Sequence, residues 1–228
     1  MRQLAAALTV AIISVLIPGC ASTIGNAESP TTTRTLIPRP LVERELAGLL
    51  LSVEQVNATM GTTGMTVTDT QTAMSDNSAT MAPRECLALD GAGEAGVYAS
   101  SGYRAERDQS LNDGDDFAHY LKQAVVLFPT VEQAGAFFDT SAQQWPACRE
   151  FAHTQSGSQW SVGQISNAGG ILSTTVTQQN ASAPGWGCGR ALALKNNLVV
   201  DINTCSANPG DSAVKVAEQI ATNIAAQW

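Results

Sequence analysis

Charge and aromatic rings are both scarce in this 228-residue chain. Asp, Glu, Lys and Arg make up 14% of it, and Phe, Tyr and Trp make up 5%. The 12 Lys and Arg stand against 20 Asp and Glu, a formal net charge of −8. A chain so poor in cations cannot displace the counterions of a nucleic acid, and it is not drawn broadly to anionic lipid. The only histidines are His119 and His153. Neither lies at ligand spacing from another His, Cys or carboxylate, so the common zinc signatures are excluded. No nucleophile stands beside a base. Gly210-Asp211-Ser212 has the outline of a hydrolase serine motif, but it follows Pro209 and opens a helical pattern in which Asp211 serves as the cap. The stretch LNDGDDF, with Asp113, Asp115 and Asp116, lacks the following glycine and closing glutamate of a calcium loop and reads as a solvated acidic turn. The glycine-rich pieces at 91–96 and 169–170 lack the Lys and following helix of a phosphate loop. The expectation is a non-catalytic protein with no cofactor and no metal.

Long apolar runs are also missing, with one exception at the start. Leu4 to Ile17 carries no charge, follows Arg2, and is short for a membrane span but suited to a signal peptide. It ends in Ile17-Pro18-Gly19-Cys20, which resembles a bacterial lipobox. Residues 1–19 are therefore read as a lipoprotein signal peptide, with Cys20 as the lipidated first residue of the mature chain. The plainer alternative is a secretory leader with a chance cysteine. Residues 20–40 are rich in Thr, Ser and Pro and read as a flexible tether. A lipid anchor at Cys20 makes the membrane a partner and places the rest on the outer face of the cell membrane, in the cell envelope.

That compartment is oxidising, and the four remaining cysteines, Cys86, Cys148, Cys188 and Cys205, are read as disulfides. GWGCGRALALKNNLVVDINTC, residues 185–205, tests this reading. With Asn196-Asn197 as a two-residue type I′ turn, positive φ is needed at both positions, which Asn tolerates. Lys195 then faces Leu198, and seven steps further out Cys188 faces Cys205. Seven is odd, so the cysteines form a non-hydrogen-bonded pair with Cα atoms about 4.5 Å apart, within disulfide reach. A longer loop or a bulge at Gly189 would shift this register. Cys86 and Cys148 pair by elimination. The same register puts Ala191, Ala193, Leu198, Val200 and Ile202 on one apolar face, the expected core side. Arg190, Asp201 and Asn203 share the cysteine face.

Three helices announce themselves. Ser52-Val53-Glu54-Gln55 is a capping box, Val53, Val56 and Met60 share a face, and Gly61 suits the C′ position. Thr130 caps a run with Val131, Ala134, Phe137 and Phe138 at helical spacing, ending before Pro146. Ala213, Val216, Ala217, Ile220 and Ile224 form a stripe along 212–226. Tyr120 to Phe128 reads as a buried strand, and Gly102 to Leu111 as another. Gln159 to Ile165 and Ile171 to Gln178 form a hairpin around a turn at 166–170. His153 falls in a polar loop. Strands in series with helices outside them predict an α+β class, an antiparallel β-sheet packed by helices in a single domain over 41–228.

Several stretches carry a family resemblance: LLLSVEQVNATMG at 49–61, YASSGYRAERDQSL at 98–111, HYLKQAVVLFPTVEQAGAFF at 119–138, WPAC at 145–148, and the segments around Cys188 and Cys205. In order and spacing the chain resembles the PknH-like extracellular sensor domain family, which includes mycobacterial exported lipoproteins. The resemblance covers essentially all of 41–228. It implies an α+β domain with two disulfides paired in sequence order, and a cleft for an unidentified small or polymeric envelope ligand. It supplies no catalytic residues. No kinase segment accompanies the domain in this sequence, so the expected role is to bind, present or scavenge a ligand, or to partner another envelope protein. A cleft needs polar groups beside aromatics. Tyr98, Tyr103, Arg104, Trp160 and Trp186 are the candidates by residue type. A protein-interaction module without a small ligand is the alternative, and an unrecognised hydrolase a more distant one.

Overall fold

Two-residue periodicity and turn chemistry build the centre of the molecule. The computed structural model describes residues 38–227. The leader, Cys20 and all but the last three residues of the tether lie outside the described residues. A 3-10 turn at Glu43–Gly48 leads to α1 (Val53–Met60) and β1 (Thr66–Gln71). Then come β2 (Met81–Ala82) and two single-turn helices, α2 (Leu87–Asp90) and α3 (Ala95–Tyr98). A hairpin of β3 (Ala105–Asn112) and β4 (His119–Leu127) precedes α4 (Val131–Gln144). Short strands β5 (Glu150–His153), β6 (Gln159–Val162) and β7 (Ser166–Ala168) lead to β8 (Ile171–Gln178), β9 (Trp186–Lys195), β10 (Leu198–Ala207) and α5 (Ser212–Ala225). Among the described residues all the strands join one sheet, ordered β1-β3-β4-β10-β9-β8-β6-β5-β2, with β7 paired to β8. The named strand pairs are antiparallel. The α+β class stands.

The β9–β10 hairpin has the register counted from the sequence, from Leu198 opposite Lys195 out to Cys205 opposite Cys188. Both disulfides are present. Cys188 and Cys205 have Cα atoms 4.0 Å apart, and Cys86 joins Cys148 at 5.3 Å. The glycines beside Cys188 allow close approach. A Cβ on Gly187 would meet the Val176 carbonyl oxygen at 2.6 Å, and one on Gly189 would meet Thr204 Oγ1 at 3.0 Å. The turn differs from expectation. Of its two asparagines only Asn196 takes positive φ, at 54°, so it is not type I′. Asn197 is buried instead. Its side chain accepts from Leu41 N at 2.8 Å and donates to the carbonyls of Leu41 and Phe128 at 3.1 and 2.9 Å. The tip is thus tied to the start of the domain and to the end of β4.

Both faces of the central strands are buried. Ala191, Ala193, Leu198, Val200 and Ile202 pack with Val56 of α1 and with Val216, Ala217, Ile220 and Ile224 of α5. The cysteine face is covered as well, by Leu87 and Leu89, Tyr98, Phe138 and Trp145. Helix α1 has its capping box, with Ser52 N donating to Gln55 Oε1 at 2.9 Å, and Gly61 closes it at φ 70°. Thr130 caps α4 as expected, although Val131 is exposed. Asp211 makes no side-chain cap; its carboxylate pairs with Lys215 at 2.8 Å. Within 166–170 the chain forms β7 before a tight turn at Gly169 and Gly170, both with positive φ. His153 ends a strand and is not in a loop.

The two asparagines of the hairpin tip should separate cleanly by mutation. Asn197→Ala leaves three buried backbone groups without partners and should cost about 2–4 kcal/mol. Asn196→Gly keeps the positive φ and should change stability by less than about 0.5 kcal/mol. Urea unfolding measures both; equal effects would contradict this division of labour.

Candidate functional site

The register places the cysteine face in cross-strand rows. Asn112, Tyr120, Cys205, Cys188 and Val176 lie side by side across β3, β4, β10, β9 and β8. The next row is Ser110, Lys122, Asn203, Arg190 and Thr174, and the one after begins Asp108, Ala124, Asp201, Leu192. The buried charged residues of the central strands β4, β9 and β10 therefore meet on one face, with Asn203 beside them.

Arg190 and Asp201 form the centre of that face. Arg190 Nη2 is 2.8 Å from Asp201 Oδ1, with both residues almost wholly buried. The guanidinium also donates to the Ala88 carbonyl from Nε and Nη2, at 3.2 and 2.8 Å, and to the Ile202 carbonyl. It lies 5.6 Å from the centre of the Trp145 ring. Asp201 Oδ2 accepts from Gly93 N and from Tyr98 Oη, each at 3.0 Å. Asn203 Nδ2 donates to the Asp90 carbonyl at 2.6 Å. The segment 88–98 is thereby hydrogen-bonded down onto the sheet.

Beyond that segment the first row of the face is left open as a cleft of about 360 Å3. The Cys188–Cys205 bridge and Asn203 line it. On the β4 side stand Phe117, Tyr120 and Trp186, with Phe117 centred 6.0 Å from Tyr120 and 6.1 Å from Trp186. On the β5–β6 side, Phe151 and Trp160 stack at 6.0 Å with 6° between their planes, and His153 sits 5.8 Å from Trp160. Asp69, Asp90, Glu94 and Lys122 supply charge. The chain's four Trp, three Tyr and five Phe make twelve rings. Five of them line this one hollow.

Of the residues singled out by type, Trp160 and Trp186 line the cleft. The other three lie away from it. Tyr98 is buried, stacks on Phe137 at 4.4 Å and gives its hydroxyl to Asp201. Tyr103 packs edge-on against Tyr98, and Arg104 is exposed. Lys122, Asp90, His153, Phe117, Tyr120 and Phe151 were not foreseen. Only Lys122 carried a signal, as a charge in an otherwise apolar strand.

The electrostatics follow from burial. His153 Nε2 is 2.6 Å from Asp90 Oδ1, and this hydrogen bond raises the imidazole pKa against the opposing effect of burial. Burial raises Glu94, although Asn77 donates to its carboxylate from N and Nδ2 at 3.0 and 2.7 Å. Lys122 Nζ donates to Ser75 Oγ at 2.8 Å and stands 3.1 Å from Asp108 Oδ2. Behind it, both carboxylate oxygens of Glu106 are buried without a protein donor. Burial, then the adjacent Asp108 charge, push Glu106 from 4.5 to about 7. Burial also raises Asp108, against the pull of Lys122.

Chemically the cleft can stack flat or apolar groups and hydrogen-bond polar ones. Among the described residues no three His, Cys, Asp or Glu side chains cluster as metal ligands. None of the described hydroxyls bonds either imidazole: His119 Nδ1 faces Asp113 at 2.7 Å and His153 faces Asp90. No described helix is long and apolar enough to cross a membrane.

A helix-covered antiparallel sheet stapled by two disulfides suits an oxidising, extracellular compartment. The chain belongs to the PknH-like extracellular domain family, whose profile matches residues 41–223. It is 31% identical over 220 residues to the serine/threonine-protein kinase PknH of Mycobacterium bovis, covering 94% of this chain and 36% of the kinase. To PknH of Mycobacterium tuberculosis it is 32% identical over 192 residues, covering 82% of this chain and 30% of the kinase. The chain thus spans about a third of the length of the curated relatives it matches. The crystal structure of the extracellular domain of PknH from Mycobacterium tuberculosis superposes with a TM-score of 0.78 at 31% identity, covering 83% of this chain and 99% of that one.

The raised carboxyl gives a pH signature. A carboxyl whose folded pKa lies above its unfolded value binds more protons when folded, so its stabilising contribution is full below the unfolded value and is lost as pH rises through the folded one. Glu106 spans 4.5 to about 7. Stability should therefore fall by up to about 3 kcal/mol between pH 4.5 and pH 8, and Glu106→Gln should remove that part of the slope. Urea unfolding across this range decides it; an unchanged slope in the variant would contradict the assignment.

Proposed function

We propose that the protein is a lipid-anchored cell-envelope protein whose extracellular sensor-type domain binds a ligand in the cleft without transforming it. One observation carries the reading: in a chain poor in aromatics, five of twelve rings gather around one hollow, beside carboxylates, an ammonium and amides. Mixed aromatic and polar linings of this volume belong to ligand sites. The anchor rests on the lipobox at Cys20, which would hold the domain at the outer face of the membrane. Within the cleft, Trp160 and Trp186 are the proposed ligand contacts from the original candidates.

The alternative, a protein-docking module without a small ligand, calls for a broad apolar patch. Among the described residues the exposed large apolar side chains are Val42, Val67, Phe117 and Val131, on four separate segments. That dispersal favours the cleft. The Asp90–His153 pair is the feature a hydrolase would use. It stands without a hydroxyl or thiol partner on the imidazole, and the nearby Ser75 hydroxyl is engaged by Lys122. A carboxylate on a cleft imidazole keeps the hydrolase as a further alternative, one that needs a nucleophile brought to His153.

Native mass spectrometry of the protein purified from its own envelope tests the proposal. A ligand should co-purify with the wild type and be reduced or lost in Trp186→Ala, while Arg104→Ala retains it. No bound mass across repeated preparations, or a ligand indifferent to Trp186, would count against the cleft.

A further inference from the structure

The cleft has a sign as well as a shape, and this bears on what class of ligand it takes. Phe117 and Trp186 line the cleft and also a second hollow of about 490 Å3, in which Asp115 and Asp116 stand. The two hollows are therefore contiguous across this pair of rings. Carboxylates dominate both. The cations that reach the cleft are already engaged: Lys122 by Asp108 and Ser75, and His153 by Asp90. Asp69, Asp115 and Asp116 are exposed, and none has an ion-pair partner among the described residues. Like-charge repulsion makes this a poor site for phosphate, sulfate or carboxylate ligands.

The rings point the same way. Phe117 is inclined 41° to Tyr120 and 48° to Trp186, so the three form an angled corner instead of a flat stack. Phe117 is 39% exposed, and among the described residues it is the aromatic one of the exposed large apolar side chains. Such a ring gains from a partner. The face of an aromatic ring carries negative potential and attracts an ammonium group within about 6 Å, most strongly on Trp. Phe117 and Trp186 line both hollows, beside Tyr120 and Asp69 in one and beside Asp115 and Asp116 in the other, so rings and carboxylates without ion-pair partners share the same walls. A neutral ligand would use the rings and leave the charge unanswered.

We propose that the corner of Phe117, Tyr120 and Trp186, with Asp115 and Asp116 beside Phe117 and Trp186 and Asp69 on the cleft wall, binds an ammonium group on a compact organic frame. Choline-type headgroups and amino sugars both present that chemistry. The assignment rests on the cleft being a ligand site and adds the ligand's charge class.

The test uses the full chain in a maltoside detergent, which carries no ammonium group. Choline is titrated against its uncharged isostere 3,3-dimethylbutanol, and glucosamine against N-acetylglucosamine, with calorimetry and Trp fluorescence as readouts. At least one charged member should bind about tenfold or more tighter than its neutral partner, and the responding pair identifies the source. Phe117→Ala and Trp186→Ala should each weaken that binding by about 2–30-fold, and Asp115→Asn with Asp116→Asn should weaken it further. Arg104→Ala should not change it. Phe117, Asp115 and Asp116 are exposed, so these variants should keep the wild-type unfolding curve. Neutral members binding as tightly as charged ones, or no saturation by either charged ligand, would overturn the assignment. An uncharged or anionic ligand co-purifying in a Trp186-dependent way would overturn the charge class while leaving the cleft as a binding site. Absence of any co-purifying ligand would count against both.

Discussion

A buried arginine paired with a buried aspartate is costly to maintain, and most of what is distinctive in this domain is arranged around one such pair. Arg190 and Asp201 sit on adjacent strands of the stapled hairpin, out of contact with water. Desolvating two charges offsets much of their attraction, so the pair is a poor source of net stability. Its effect is positional. Besides the Ile202 carbonyl, the two side chains bond Ala88, Gly93 and Tyr98, and the neighbouring Asn203 goes to Asp90. A segment of two single-turn helices with little internal hydrogen bonding of its own is thus held at one height above the sheet. That segment carries Asp90 and Glu94 to the cleft. The Cys86–Cys148 bridge anchors its beginning, the ionic clasp holds Ala88, Gly93 and Tyr98, and His153 and the 75–77 segment steady Asp90, Glu94 and Ala95.

The hairpin was legible because a β-strand has a period of two and a short turn sets its register. Once Asn196-Asn197 is taken as the tip, every pair out to the cysteines follows from counting. The turn type was not legible. Asn197 is a buried brace whose partners, Leu41 and Phe128, lie far off in sequence. The second core was missed for a related reason. Val199 and Leu192 share a face with Arg190, Asp201 and Asn203, and that face reads as polar until β4 and the 88–98 segment are placed against it.

The cleft itself was legible only in part. Trp160 and Trp186 were reached by residue type, and the same criterion selected Tyr98, which is spent on the clasp, and Arg104, which faces solvent. Function here depends on which cross-strand row a side chain occupies, and the row is set by pairings between strands distant in sequence. Tyr120 and Trp186 flank β10 opposite Cys205 and Ala207 and share Phe117, while Phe151 and His153 arrive from the far side of the sheet. Charged and amide residues in apolar strands were the usable signal: Lys122, Arg190, Asp201 and Asn203 fall on one face, joined there by Glu106 and Asp108 of the largely polar β3. The scarcity of aromatics noted at the outset then acquires a meaning, because the few rings are not spread evenly through the cores. The family relationship places the same kind of domain in longer kinase chains, where this chain matches about a third of the length.

The dependence of the cleft wall on the ionic clasp can be measured by hydrogen–deuterium exchange in the double variant Arg190→Met with Asp201→Leu. Removing both charges leaves neither one buried alone, so the sheet should survive. Amides in β9, β10 and β4 should keep their protection, while those of 88–98 should exchange markedly faster than in the wild type. Wild-type protection throughout 88–98 would contradict the account, because the wall would then be held by something other than the clasp.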